Sequence, residues 1–196
     1  MVLYEYTNLP RLDRFSLILN NKKMKNILSF FALALMFCAK CQIAIGKPTV
    51  TNSSVSLEFA ETENRGMILP YITDKSGITA LGTFIYDATD HKVKYLKDTN
   101  TWFDLSVDAT GVADLSIQGS DKTEPSGSKV ALGVNGLADS SSAILVLTDT
   151  DKAMVLPKVS SPHLNIINPS PGMMVYDKTK RQLAVYNGTV WSFWKP

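Results

Sequence analysis

Gly82-Thr83-Phe84-Ile85-Tyr86-Asp87 and Gly172-Met173-Met174-Val175-Tyr176-Asp177 spell the same strand twice, and that repetition decides the fold. Three further blocks recur in the same order, about 87 residues apart. Ile43-Ala44-Ile45-Gly46 returns as Val130-Ala131-Leu132-Gly133, Met67-Ile68-Leu69-Pro70 as Met154-Val155-Leu156-Pro157, and Trp102 as Trp191. Four blocks in one order mark two copies of a structural unit. What recurs is glycine, proline, β-branched and aromatic residues. These are scaffold parts, and no reactive group is among them.

Each copy reads as short strands. Val55, Leu57 and Phe59 alternate with Ser54, Ser56 and Glu58, which predicts one apolar and one wet face. The matching Ala143-Ile144-Leu145-Val146-Leu147 is apolar throughout, which predicts a strand covered on both faces and makes the second copy the better buried. Met67–Ile72 and Met154–Val159 each carry a proline at the fourth position. Proline has no N–H for a ladder, so these are edge strands or strands that stop there. A proline-rich connection follows in the second copy, with a helical turn expected around His163–Ile167.

A hairpin comes next in both copies. Asp87 and Asp177 sit at its turn, where a carboxylate accepts from the backbone two residues on. Tyr186-Asn187-Gly188-Thr189 predicts a tight two-residue turn, and Lys97-Asp98-Thr99-Asn100 a longer loop. Each copy should therefore end in a three-stranded antiparallel meander closed by a tryptophan strand. The expected class is all-β: two tandem small antiparallel β-meander modules at 42–105 and 129–196. Residues 106–128 form the link, with one additional strand expected at Val112–Ile117 and a polar, flexible stretch from Gln118 to Ser128.

Residues 1–41 read as an N-terminal extension and signal peptide. Lys22, Lys23 and Lys25 precede the apolar run Ile27–Phe37, too short for the roughly 20 residues of a membrane-spanning helix. Met24 is the better start, and cleavage is expected before Gln42. Beyond that point 14 basic and 16 acidic residues remain, a net charge of −2. No basic stripe survives, which argues against nucleic acid as a partner. Both cysteines, Cys38 and Cys41, fall in the removed segment. Phe37 and Lys40 precede them where a lipidation signal wants a small residue.

Candidate sites are few. Trp102, Tyr186, Trp191 and Trp194, with Tyr95, would stack on sugar rings if exposed, but packing in the core and across strands is the favoured reading of such rings. Trp191 and Trp194 have opposite parity and so face different sides of a strand. His91 and His163 hold non-matching places and lack convergent partners, so no metal site or general base is legible. Glu58, Glu61, Glu63, Asp87, Asp90, Asp104 and Asp108 are spread evenly. A glycosidase pair drawn from distant strands stays open. Glu61-Thr62-Glu63 and Asp149-Thr150-Asp151 lack the spaced Asp and Gly of a calcium loop, which favours a solvated turn. No nucleophile elbow, zinc motif or phosphate loop is present, so no catalytic residue and no cofactor is assigned.

Gln42-Ile43-Ala44-Ile45-Gly46, Ser53–Phe59, Arg65–Pro70, Gly172–Asp177 and Tyr186-Asn187-Gly188-Thr189-Val190-Trp191 together resemble secreted repeat proteins of the Bacteroidetes. Similar segments occur in cell-surface and tail-fibre-like proteins. The resemblance covers nearly all of 42–105 and 129–194. It implies an exported structural or adhesive protein without catalytic activity, secreted or held at the cell surface. By the fibre analogy it implies a homotrimer, formed because edge strands near Pro70 and Pro157 need covering. Two alternatives stand beside it: a glycan-binding module using the aromatics, and a glycoside hydrolase whose carboxylates are not yet paired. A surface glycan or another cell-surface protein would then be the partner.

Overall fold

A computed structural model of the chain describes residues 42–119, 125 and 127–195, together with Asn26 and Ser29. The expected signal segment, apart from those two residues, and the middle of the polar link lie outside the described residues. All the strands belong to one compact unit, Cys41–Pro196.

Each copy opens on a parallel pair. β1 (Ile43–Ile45) lies along β2 (Val55–Phe59) with Ile43 opposite Leu57. In the second copy β8 (Val130–Leu132) lies along β9 (Leu145–Leu147) with Val130 opposite Leu145. The same backbone bond closes both: Ala60 N–H to Ile45 C=O at 2.8 Å, and Thr148 N–H to Leu132 C=O at 2.7 Å.

The Met-x-Leu-Pro segments then break where proline removes the donor. The first gives β3 (Met67–Ile68) and β4 (Tyr71–Ile72); the second gives β10 (Ala153–Val155) and β11 (Lys158–Val159). Each proline keeps its carbonyl in use, accepting from Tyr86 N–H and Tyr176 N–H respectively, both at 2.9 Å.

A meander completes each copy as expected. β5 (Phe84–Asp87), β6 (Lys92–Asp98) and β7 (Thr101–Asp104) follow β4 in a four-stranded sheet. β12 (Met173–Asp177), β13 (Gln182–Tyr186) and β14 (Trp191–Trp194) follow β11. The hairpin aspartates act as read: Thr89 N–H donates to Asp87 at 3.0 Å and Thr179 N–H to Asp177 at 2.9 Å. The expected helical turn is α1 (Pro162–Asn165).

The two copies are spliced together. β10 of the second copy adds to β2 of the first, in parallel, giving the order β1-β2-β10. β3 of the first copy adds antiparallel to β12 of the second, with Ile68 opposite Met173 and Met67 opposite Met174. One core cluster accordingly draws on both copies, joining Leu69, Tyr86, Val93 and Leu105 to Met174 and Val185. A second cluster, Val159, Ile166, Met173, Val175 and Ala184, covers the opposite face of β12 and β13.

Splicing overturns several expectations. Ser56 and Glu58 are buried rather than wet, because β2 is the central strand of its sheet. Glu58 stays ionised there. Lys47, with Thr51 donating from its hydroxyl and its N–H, holds the carboxyl down to about 2 against the opposing effect of burial. The apolar 143–147 stretch is not doubly covered: Ile144 and Leu145 are exposed, since β9 has only β8 beside it. At this strand the first copy is the better buried. Val112–Ile117 forms no strand; the chain is irregular there and enters a short 3-10 helix, Ser116–Gln118. The turn lengths are also reversed. Tyr186 opposite Trp191 leaves a four-residue loop around Asn-Gly, whereas Asp98 opposite Thr101 leaves only Thr99 and Asn100, the latter at φ 56°.

Gly172 sits at this seam with φ +73°, and a Cβ there would stand 3.0 Å from the Cβ of Tyr86. Its counterpart Gly82 has φ +80° with nothing within 4 Å of an added Cβ. Both alanine variants incur left-handed strain of about 1–2 kcal/mol, and only the Gly172 variant also meets the other copy. Urea unfolding should show Gly172→Ala destabilised by about 1 kcal/mol more than Gly82→Ala. Equal losses would mean the seam is loosely packed.

Candidate functional site

The last strand carries the aromatic residues singled out above, and alternation along it divides them. Trp191 and Phe193 share one face, their rings 6.4 Å apart and 24° from parallel. Tyr186, opposite Trp191 on β13, adds a third ring at 5.2 Å from the indole. Tyr186 and Trp191 pack against the second core cluster, and His163 of α1 meets Phe193 edge-on at 5.6 Å. Trp194 points the other way. It meets Phe103 at 5.4 Å, and its indole N–H donates to Leu105 C=O at 2.6 Å.

Trp102 lies on β7 opposite Leu96, half-buried, with Phe103 as its neighbour of opposite parity. The structure thus brings Tyr186 and Trp191 together. It sets Trp194 behind them and Trp102 in the other sheet. Tyr95 is also in that sheet, packed against Phe84 and Phe103. The four tryptophan and tyrosine positions do not form one row.

An open hollow of about 490 Å³ lies along β14, lined by Val107, Asp108 and the five residues Val190 to Trp194. Its wall is held by one buried amide. Asn187 Nδ2 donates to the carbonyl of Asp108 at 2.8 Å and to its carboxylate at 2.9 Å. Asn187 Oδ1 accepts from Thr189 N–H at 3.0 Å and Val190 N–H at 2.7 Å. The Asn187 carbonyl accepts from the buried Tyr86 hydroxyl at 2.9 Å, so the loop is tied to the first copy as well. Asp108 is held at about 2 by the Thr110 hydroxyl and N–H and by the Asn187 amide. It remains an ionised acceptor. Asn-Gly reads in the sequence as turn chemistry alone, because the partner of the Asn187 amide nitrogen, Asp108, lies 79 residues away.

The carboxylates have structural partners. Glu61 pairs with Lys158 at 2.6 Å and Lys178 at 3.5 Å, and Glu63 with Arg65 at 2.9 Å. Asp87 is paired with Lys75; burial would raise its carboxyl, yet Lys75 and Thr89 bring it down to about 2. Buried Lys94 lies against Asp90, Asp104 and Asp87, and Lys92 meets Asp104 at 2.8 Å. Asp149 accepts from Val134 N–H at 3.0 Å and pairs with Lys152 at 2.7 Å. Among the described residues no group of three His, Cys, Asp or Glu side chains could hold a metal ion, and no helix is long and apolar enough to cross a membrane.

Residues 133–195 match the family model described as a phage tail like trimerisation region. The match runs from Gly133, just after β8, through β14, and fits a tail-fibre-like protein. No curated protein and no solved structure matches the chain.

Asn187→Ala removes the side-chain amide that joins Asp108 to the N–H groups of Thr189 and Val190, and leaves the main-chain acceptor of Tyr86 in place. Losing these bonds should cost roughly 1–2 kcal/mol in thermal or urea unfolding. Thr189→Ala, on the exposed side of the same loop, should cost well under half as much.

Proposed function

We propose that this chain is an exported, tail-fibre-like structural protein that assembles as a homotrimer and serves as a structural or adhesive element at or beyond the cell surface. The match of residues 133–195 to a trimerisation region carries this reading. The fold supports it physically. Its strands are short, several end in open edges, and many of its described charged side chains hold turns and sheets. Such a framework suits a role in assembly, where shape and edge chemistry matter more than a reacting group. The basic-then-apolar segment at Lys22–Phe37 supports export. Static light scattering on the purified chain should give three times the mass of one chain. A monomer across the micromolar range would overturn the trimer.

A second reading is favoured by one observation, the near-parallel Trp191 and Phe193 rings beside an open hollow. Such a surface offers a stacking platform for a sugar ring, with Asp108 at its rim as acceptor. Titration with simple and oligomeric sugars should then shift the tryptophan emission, and Trp191→Ala should abolish the shift. An emission unmoved by every sugar removes this reading and leaves the structural one intact.

A further inference from the structure

The seam between the two copies is directional. The first copy presents β2 and the outer edge of β12's partner strand, β3; the second answers with β10 and β12. Nothing in that pairing closes on itself. The second copy therefore still displays the edges that the first used, and the first still displays those that the second used.

Burial shows both half-seams. Leu57 of β2 is 3% exposed under β10, whereas its counterpart Leu145 of β9 is 41% exposed. Tyr86 is fully buried against the second copy, while its counterpart Tyr176 is 36% exposed. Met174 is 2% exposed beside β3, but its counterpart Phe84 is 38% exposed. These residues differ in exposure because a neighbouring copy covers one set and not the other.

The backbone tells the same story. Leu69 N–H donates to Gly172 C=O at 3.0 Å across the seam. The counterparts, Leu156 N–H and Gly82 C=O, have no hydrogen-bond partner among the described residues. On β5, Leu96 N–H donates to Thr83 C=O, so alternation turns the N–H and C=O of Phe84 away from β6, toward the side that β3 occupies on β12. On β10, Ala153 N–H donates to Ser54 C=O of the β2 side, and β10 is the edge strand of its sheet.

Side-chain volumes are exchanged in a compensating way. Within the chain Gly66 lies under Met173, whose side chain would be 2.5 Å from an added Cβ. The counterpart of Gly66 is Ala153 and that of Met173 is Thr83. A larger residue on one side faces a smaller one on the other, so the two half-seams remain complementary in size.

We infer that the C-terminal copy of one chain docks onto the N-terminal copy of a second chain by repeating the internal seam: β10 pairs antiparallel with the Gly82–Phe84 edge, and β9 receives β3 in parallel. The occupant of these edges is a second copy of this chain. The inference rests on the oligomeric reading above and names its contact. A head-to-tail contact of this kind closes into a ring when its rotation permits, and otherwise extends into a filament. The match at 133–195 contains β9 and β10, the two strands assigned to the contact.

Cysteine cross-linking tests it in the full-length chain carrying Cys38→Ser and Cys41→Ser. Ile68 opposite Met173 is the non-hydrogen-bonded pair of the internal seam, where side chains approach closest. Its counterpart between chains is Val155 with Thr83. Thr83→Cys with Val155→Cys should give covalently joined chains on mild oxidation, and each single variant should not. Ile68→Cys with Met173→Cys should oxidise within one chain as the control. A ladder ending at three chains supports the contact in a closed trimer; a longer ladder supports the contact and overturns the count of three. A trimer by light scattering without interchain disulfide overturns the contact and leaves the trimer standing. A monomer without disulfide overturns both. If the cysteine pair fails to fold, Phe84→Lys places a charge on the same edge and should reduce the oligomer to monomers; an unchanged mass overturns the contact.

Discussion

Everything in this fold depends on giving each short strand a partner along its whole length. A strand of two or three residues contributes few ladder bonds and little buried area, so it persists only as part of a larger sheet. Proline sets how the strands are shared. At Pro70 and Pro157 the chain loses a donor, leaves one sheet and immediately enters another, with the proline carbonyl as the first acceptor of the new pairing. Without that break Met67 to Ile72 would be one strand in one sheet. With it, the same six residues link a sheet completed by the second copy to the meander of the first.

The ion pairs follow from the splice. Glu58 is buried at the centre of a three-stranded sheet because β10 covers what would otherwise be a solvated side of β2, and it needs Lys47 and Thr51 to stay ionised there. Lys94 is buried among three aspartates on β6, while the same position in the second copy is the small apolar Ala184. A buried charge is tolerated when its partners are in place, and it is costly to orphan. The first copy thus carries polar networks and the second an apolar cluster, although both share one backbone plan.

The backbone plan was legible because its signals are local. Glycine at positive φ, proline at a strand end and aspartate at a turn act within a few residues, and all recur in both copies. The meanders, the broken Met strands and the helical turn after Ser161 could therefore be read. Environment was not legible. Alternation at Ser54–Phe59 suggested a wet face, and nothing local to Ser56 and Glu58 says that residues 153–155 will cover them. The loop at Asn187 misled for the same reason: its amide nitrogen serves Asp108, 79 positions upstream, while its oxygen holds Thr189 and Val190 within a four-residue loop. Parity along the last strand separates Trp191 from Trp194, yet the neighbour of Trp194, Phe103 of the first copy, depends on the splice.

The hydrogen bond from Tyr86 to Asn187 spans 101 residues, and the strand that completes β2 is made almost as late. During synthesis the first copy leaves the ribosome without its covering strand, its buried polar residues or its core complete. Its core and its central sheet are completed only when the later strands are released. Contacts so distant along the chain slow folding. The architecture itself thus postpones compaction until the last strands are made.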